Sequence, residues 1–125
     1  MISVTKLFEF EAAHYLPKHK GKCKNLHGHT YKLEVEVTAG RGNFLGEDGM
    51  VMDFSDLKSI VENYINENLD HAYLNQTITG TPTAENMLII LSTYLEGKFR
   101  APLKVVRIRL WETSTSYAEW RKEND

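Results

Sequence analysis

A single cysteine, Cys23, rules out an internal disulfide, so its thiol must be buried, reactive or incidental. The three prolines and eight glycines form no low-complexity stretch or linker, and nothing marks a boundary between domains. No apolar run approaches the roughly 20 residues that a membrane span requires. The opening stretch MISVTKLFEFEAAH also lacks the apolar centre of a signal peptide, because charges interrupt it early. Nor is there an excess of positive charge. With 15 basic and 17 acidic residues the net charge is −2, which argues against a general nucleic-acid binder. What is present, 42% apolar and 26% charged residues, describes an ordinary globular chain. The expectation is one soluble, cytoplasmic domain over residues 1–125, with neither membrane nor nucleic acid as partner.

Alternation defines the first element. Val4, Phe8, Phe10, Ala12 and His14 share one parity, broken only by Lys6, while Glu9 and Glu11 take the other side. A second strand is predicted from about His29 to Thr38, with Tyr31, Leu33, Val35 and Val37 on one face. Glycines 40, 42, 46 and 49 then mark a loop. A helix capped by Asp53 or Ser55 follows, its stripe formed by Leu57, Ile60, Val61, Tyr64, Ile65 and Leu69. A second helix is predicted to begin at Thr81-Pro82-Thr83, with the proline in its first turn, and to end at Gly97. A third strand spans about Leu103 to Glu112, with Val106, Ile108 and Leu110 facing in, and a short fourth spans Tyr117 to Arg121. The order ββααββ implies an α+β fold: an antiparallel four-stranded sheet covered on one face by two helices. The uncovered face carries mixed residues suited to a neighbouring subunit.

His27-Gly28-His29 is the sharpest local feature. At a strand entry, residues i and i+2 point to the same side, so both imidazoles can meet one ion. The intervening glycine lets the backbone bend there without a side chain in the way. His14, at the end of the first strand, can add a third ligand. Three neutral imidazoles suit zinc, and an open fourth position would make the site catalytic. Spacing alone leaves a second reading, a loop with two ordinary histidines beside a core His14.

Cys23 sits four residues before His27 in the loop Lys20-Gly21-Lys22-Cys23-Lys24. Nearby ammonium groups and a metal would favour its thiolate, suited to accepting a proton or attacking carbon; otherwise it is a cysteine without a role. Asp70-His71 follows the first helix, where a carboxylate can fix an imidazole tautomer or merely help end the helix. Lysines 18, 20, 22, 24 and 32 lie between Ala12 and Leu33 with no acidic residue among them. That surplus suits either a polyphosphate or a solvated loop. Glu112 shares the inward parity of Ile108 and Leu110, and a buried carboxylate needs a partner. A ligand with two parallel N–H groups, an arginine such as Arg109, or water at the strand end would each serve.

Taken in order, Phe10-Glu11-Ala12-Ala13-His14, Cys23-x-x-x-His27-Gly28-His29, Gly49-Met50-Val51-Met52-Asp53-Phe54, Leu69-Asp70-His71-x-x-Leu74-Asn75, Pro82-Thr83-Ala84-Glu85-Asn86 and Glu112-Thr113 resemble the 6-pyruvoyl-tetrahydropterin synthase family. The resemblance covers nearly the whole chain. It is to the short prokaryotic form that makes 6-carboxy-tetrahydropterin. The resemblance implies the tunnelling fold (T-fold), with barrel-like trimers that pair into hexamers and active sites at subunit boundaries. It implies zinc on His14, His27 and His29, and Cys23 as proton acceptor assisted by Asp70 and His71. Glu112 would anchor the pterin ring and join the charge relay. The implied reaction is that of a lyase converting 7,8-dihydroneopterin triphosphate to 6-carboxy-5,6,7,8-tetrahydropterin, acetaldehyde and triphosphate in queuosine (7-deazaguanine) biosynthesis. The pyruvoyl synthase of tetrahydrobiopterin formation and a non-catalytic pterin-binding member are the alternatives. Three residues between Cys23 and His27 resemble the carboxy-forming branch; animal-type pyruvoyl synthases typically place five there.

Overall fold

The computed structural model describes residues 1–123, so the last two residues of the expected 1–125 domain lie outside it. Strand β1 (Ser3–His14) pairs antiparallel with β2 (His27–Thr38) along its whole length. After the glycine-containing loop come α1 (Phe54–Asn68), a two-residue strand β3 (Ala72–Tyr73), the single turn α2 (Leu74–Thr77) and α3 (Ala84–Glu96). Strands β4 (Lys104–Thr113) and β5 (Ser116–Arg121) complete a sheet of order β3-β1-β2-β4-β5. The expected four-stranded antiparallel sheet is therefore a five-stranded mixed one, because β3 joins the edge of β1 in parallel. Two residues are too few to register as an alternating pattern.

The helices form where expected, and for the expected reasons. Asp53 caps α1 by accepting a hydrogen bond from the Ser55 backbone N–H at 2.7 Å. Thr83 caps α3 by accepting from the Asn86 N–H at 3.1 Å. The latter moves Pro82 out of the predicted first turn and leaves it just ahead of the cap. Leu57, Val61, Tyr64 and Ile65 of α1, with Met87, Leu88, Leu91 and Leu95 of α3, bury one face of the sheet. Helix α1 packs on β1, and α3 packs on β4 and β5. Phe10 and Tyr31 stack across the first strand pair, their ring centroids 4.9 Å apart.

One inward residue of β4 differs from the alternation. The β2–β4 register shifts between Glu36 and Val37, so Val105 is buried while Val106 is the unpaired residue of a β-bulge. Beyond the bulge the parity resumes with Ile108, Leu110 and Glu112. The uncovered face is an ion lattice. Arg107 Nε donates to Glu36 at 2.8 Å, and Arg109 Nη2 lies 2.8 Å from Glu119. Trp111 Nε1 donates to Glu34 at 2.6 Å. Among the described residues no helix is long and apolar enough to cross a membrane.

Candidate metal centre

The β1–β2 register decides the site. His14 pairs with His27 and Ala12 pairs with His29, which places all three imidazoles on the helix-covered face at one end of the sheet. His14 is fully buried there, whereas His27 and His29 are half-buried. Strand β2 begins two residues earlier than predicted, so both histidines lie within it. Gly28 differs from expectation. It is extended backbone, and an added Cβ would meet its nearest neighbour, the Ala12 carbonyl oxygen, at an ordinary 3.7 Å. Instead of bending the chain, it lines the cavity described below.

Hydrogen bonds fix the tautomers of two rings. His14 Nδ1 donates to the Pro82 carbonyl at 2.8 Å, and His27 Nδ1 donates to the Asn25 carbonyl at 2.7 Å. In neutral imidazoles both protons are then on Nδ1, and the two Nε2 lone pairs face each other across 3.1 Å. Two lone pairs at that distance repel unless a proton or a metal cation lies between them. His29 Nε2 is buried and makes no hydrogen bond, although Glu112 Oε1 comes within 2.9 Å of it off the hydrogen-bonding direction. Glu112 Oε1 also lies 3.3 Å from His14 Nε2. One ligand atom from each of these four residues falls within 4.8 Å of the others. Three nitrogens and an adjacent carboxylate make a donor set that fits zinc.

The four groups also shift one another's titration. Burial pulls the His14 imidazolium toward deprotonation, but the Glu112 hydrogen bond, the Pro82 carbonyl and the Glu112 charge outweigh it and raise the pKa. Burial lowers that of His29; the Glu112 charge opposes this, while His14 and His27 add to it. Protonated His14, donating through Nε2, holds the Glu112 carboxyl below its ordinary value against the effect of burial, with the charges of all three histidines assisting. Arg109, an alternative partner for Glu112 in the sequence, pairs instead with Glu119 on the uncovered face.

The other expected residues lie outside the histidine–glutamate cluster, with Asp70 and His71 beside each other and Cys23 in a separate loop. Cys23 lies in a one-turn 3₁₀ helix over Lys22–Lys24, is half-buried, and contributes no ligand atom to the cluster. Its carbonyl accepts from the Leu16 N–H at 2.7 Å, which ties the loop back to the end of β1. Asp70 and His71 dock on the edge of β1 through Glu11. Asp70 Oδ1 accepts from the Glu11 N–H at 3.1 Å, and the His71 N–H donates to the Glu11 carbonyl at 2.6 Å. His71 adopts φ of 56°, the left-handed region, which turns the chain from α1 into β3. Its side chain is 78% exposed, with Nε2 3.6 Å from Asp70 Oδ2. A cavity of about 410 Å³ opens between His71 and His29, lined also by Glu11, Ala13, Gly28 and Thr30, and Cys23 does not reach it.

Three positioning residues carried no role in the sequence reading. Pro82 supplies the carbonyl for His14. Asn75 accepts from the Tyr15 N–H at 2.9 Å and donates to the Tyr15 carbonyl at 3.0 Å, clamping the chain next to His14. Asn86 holds the loop before α3. Asn75 and Asn86 lie in two of the runs that carry the family resemblance, but an amide's partners depend on the tertiary path.

Comparisons with known proteins agree with this geometry. The family model described as 6-pyruvoyl tetrahydropterin synthase matches residues 3–123. The chain is 39% identical to the 6-carboxy-5,6,7,8-tetrahydropterin synthase of Haemophilus influenzae, covering 98% of this chain and 100% of that protein. It is 41% identical to the enzyme of that name from Synechocystis, over 94% of this chain and 91% of the relative. Among solved structures, the 6-pyruvoyl tetrahydropterin synthase of Caenorhabditis elegans superposes with a TM-score of 0.82 at 24% identity, covering 98% of this chain and 96% of that one. At that identity the likeness shows the fold, the T-fold. The family model and these relatives mark the chain as a tetrahydropterin synthase, a lyase. The chain belongs to the 6-pyruvoyl tetrahydropterin synthase family.

Proposed function

We propose that this chain is a zinc-dependent 6-carboxy-5,6,7,8-tetrahydropterin synthase. It converts 7,8-dihydroneopterin triphosphate to 6-carboxy-5,6,7,8-tetrahydropterin, acetaldehyde and triphosphate, a step of queuosine biosynthesis in the cytoplasm. The observation that carries this reading is the convergence of His14, His27, His29 and Glu112 on one point, with the Nδ1 protons of neutral His14 and His27 held by backbone carbonyls and their Nε2 atoms left facing each other. The relatives named above support the choice of reaction.

His14, His27 and His29 hold the ion. Bound there, zinc supplies Lewis-acid polarisation of the substrate's side-chain oxygens and makes the adjacent C–H groups more acidic. Once the imidazoles give their lone pairs to the ion, none has a proton for Glu112. Its carboxylate, which also lines a cavity of about 220 Å³ with Ala84, Glu85, Ser116 and Tyr117, is then available to accept two N–H donors of the pterin ring. Cys23 acts as thiolate and removes a proton from the substrate side chain. Lysines 18, 20, 22 and 24 receive the departing triphosphate. His71, oriented by Asp70, exchanges protons with solvent during the following tautomerisations.

Within one chain Cys23 does not line the cavity between His71 and His29. A homo-oligomer, trimer or hexamer, in which one subunit's loop faces another subunit's His71 resolves that separation. The presence of Cys23, Asp70 and His71 favours turnover over a binding-only role. The short Cys23–His27 spacing favours the carboxy product over 6-pyruvoyl-tetrahydropterin.

Zinc-stripped protein is expected to release no triphosphate from the substrate and to recover on adding about one zinc per chain. The triple His14→Ala, His27→Ala, His29→Ala variant should lose metal and activity together. Retention of zinc by that variant would place the centre elsewhere.

A further inference from the structure

We propose that Asn86 is a positioning residue for the metal centre, acting through the loop 79–82 and the Pro82 carbonyl on His14. The inference rests on the metal reading of the histidine cluster and assigns a role to a residue that touches neither the ion nor the substrate. The Asn86 Nδ2 amide donates both of its protons to one loop, to the Thr79 carbonyl at 2.8 Å and the Thr81 carbonyl at 3.0 Å. The opposite orientation of the amide would set its oxygen against two carbonyl oxygens, so the chemistry fixes which atom points there. The same residue's backbone N–H is bonded by the Thr83 cap. Asn86 therefore joins the start of α3 to the irregular chain ahead of it.

The loop is shaped around that side chain. Gly80 adopts φ of 87°, and a Cβ added to it would lie 2.9 Å from Asn86 Nδ2, closer than any side chain tolerates without displacement. Among the described residues the loop has one further internal backbone bond, from the Thr83 N–H to the Thr81 carbonyl at 2.8 Å. Pro82 has no N–H to anchor it, so the direction of its carbonyl follows from residues 79–81 on one side and the cap on the other. That carbonyl receives the His14 Nδ1 proton at 2.8 Å and thereby sets both the tautomer and the aim of the buried ring. A metal-binding imidazole held in this way loses affinity when its partner shifts, typically by 10–100-fold.

The test is cobalt(II) affinity, measured on metal-stripped protein by competition with a chromophoric chelator, together with the visible absorption of the bound cobalt. Wild-type protein, Asn86→Ala, Asn86→Asp, Gly80→Ala and, as a stability control, Val35→Ala are compared. Val35 is buried in β2, six residues along the strand from His29. Asn86→Ala, Asn86→Asp and Gly80→Ala should each bind about 10-fold or more weakly, with altered absorption bands. Val35→Ala should lower the melting temperature and leave affinity and spectrum unchanged. A folded Asn86→Ala with wild-type affinity and spectrum overturns the proposal, as does an equal loss in Val35→Ala. If Asn86→Ala does not fold, Gly80→Ala decides by the same criterion. If wild-type protein binds neither cobalt nor zinc, the metal reading itself fails, and this inference falls with it.

Discussion

His14 ends a strand, sits fully buried, and gives its Nδ1 proton to a carbonyl 68 residues further along the chain. A buried imidazole that merely filled space would direct its second nitrogen at an ordinary donor. Here it faces a second lone pair and a carboxylate. Cys23 is the contrasting residue, half-buried in a basic turn with no ligand role. If it is the proton acceptor, Cys23→Ala should keep its zinc and its affinity for a pterin ligand while turnover falls by about 10²-fold or more. Steady-state rates with metal analysis on the same preparation check this, and an active Ala variant would refute the thiolate role. At this scale the grouping of the three histidines was legible in part: strand parity puts His27 and His29 on one side, and the β1–β2 register brings His14 to them. The contact of Glu112 with the histidines was not, since it depends on β4 lying beside β2 in one particular register. The amides of Asn75 and Asn86 were equally hidden: their partners are loop carbonyls that no periodicity describes.

Elements were predicted well wherever one face is buried and the other wet. Strands β1 and β2 and helices α1 and α3 meet that condition, and their cores match the alternation and the helical stripes. The misses occur where the condition fails. Strand β3 is two residues of edge pairing, and Val106 belongs to a bulge that alternation cannot anticipate. The uncovered sheet face replaces apolar burial with charge. Burial favours protonation of Glu36, but hydrogen bonds from Ser3 and Arg107 and the Arg107 charge outweigh it and hold its carboxyl below the ordinary 4.5. Glu119 is likewise lowered: burial acts upward, but hydrogen bonds and charge from Arg109 and Arg121 together prevail. For carboxyls depressed in the folded state, the stabilisation is present above the unfolded value and is lost as pH falls through the folded one. Melting temperatures of metal-stripped protein should therefore drop as pH falls below about 4.5, and Glu36→Gln should lose part of that dependence. Identical pH profiles for the two proteins would show that the lattice does not contribute.

As a whole molecule, one chain carries the candidate metal centre, the Cys23 loop and the Asp70–His71 pair beside the His14 end of β1. The family resemblance anticipated a site shared between subunits, and the absence of Cys23 from the cavity between His29 and His71 gives that expectation a geometric reason. Sizing at micromolar concentration should give a species well above the 14.4 kDa of one chain, a trimer or hexamer. A fully active monomer would contradict the shared site.

The most direct test of the account is the product formed from 7,8-dihydroneopterin triphosphate by zinc-loaded protein, identified by mass together with an assay for acetaldehyde. The account predicts 6-carboxy-5,6,7,8-tetrahydropterin and acetaldehyde in equal amounts. Accumulation of 6-pyruvoyl-tetrahydropterin without acetaldehyde would contradict the proposed reaction, and no turnover at all would contradict the enzyme.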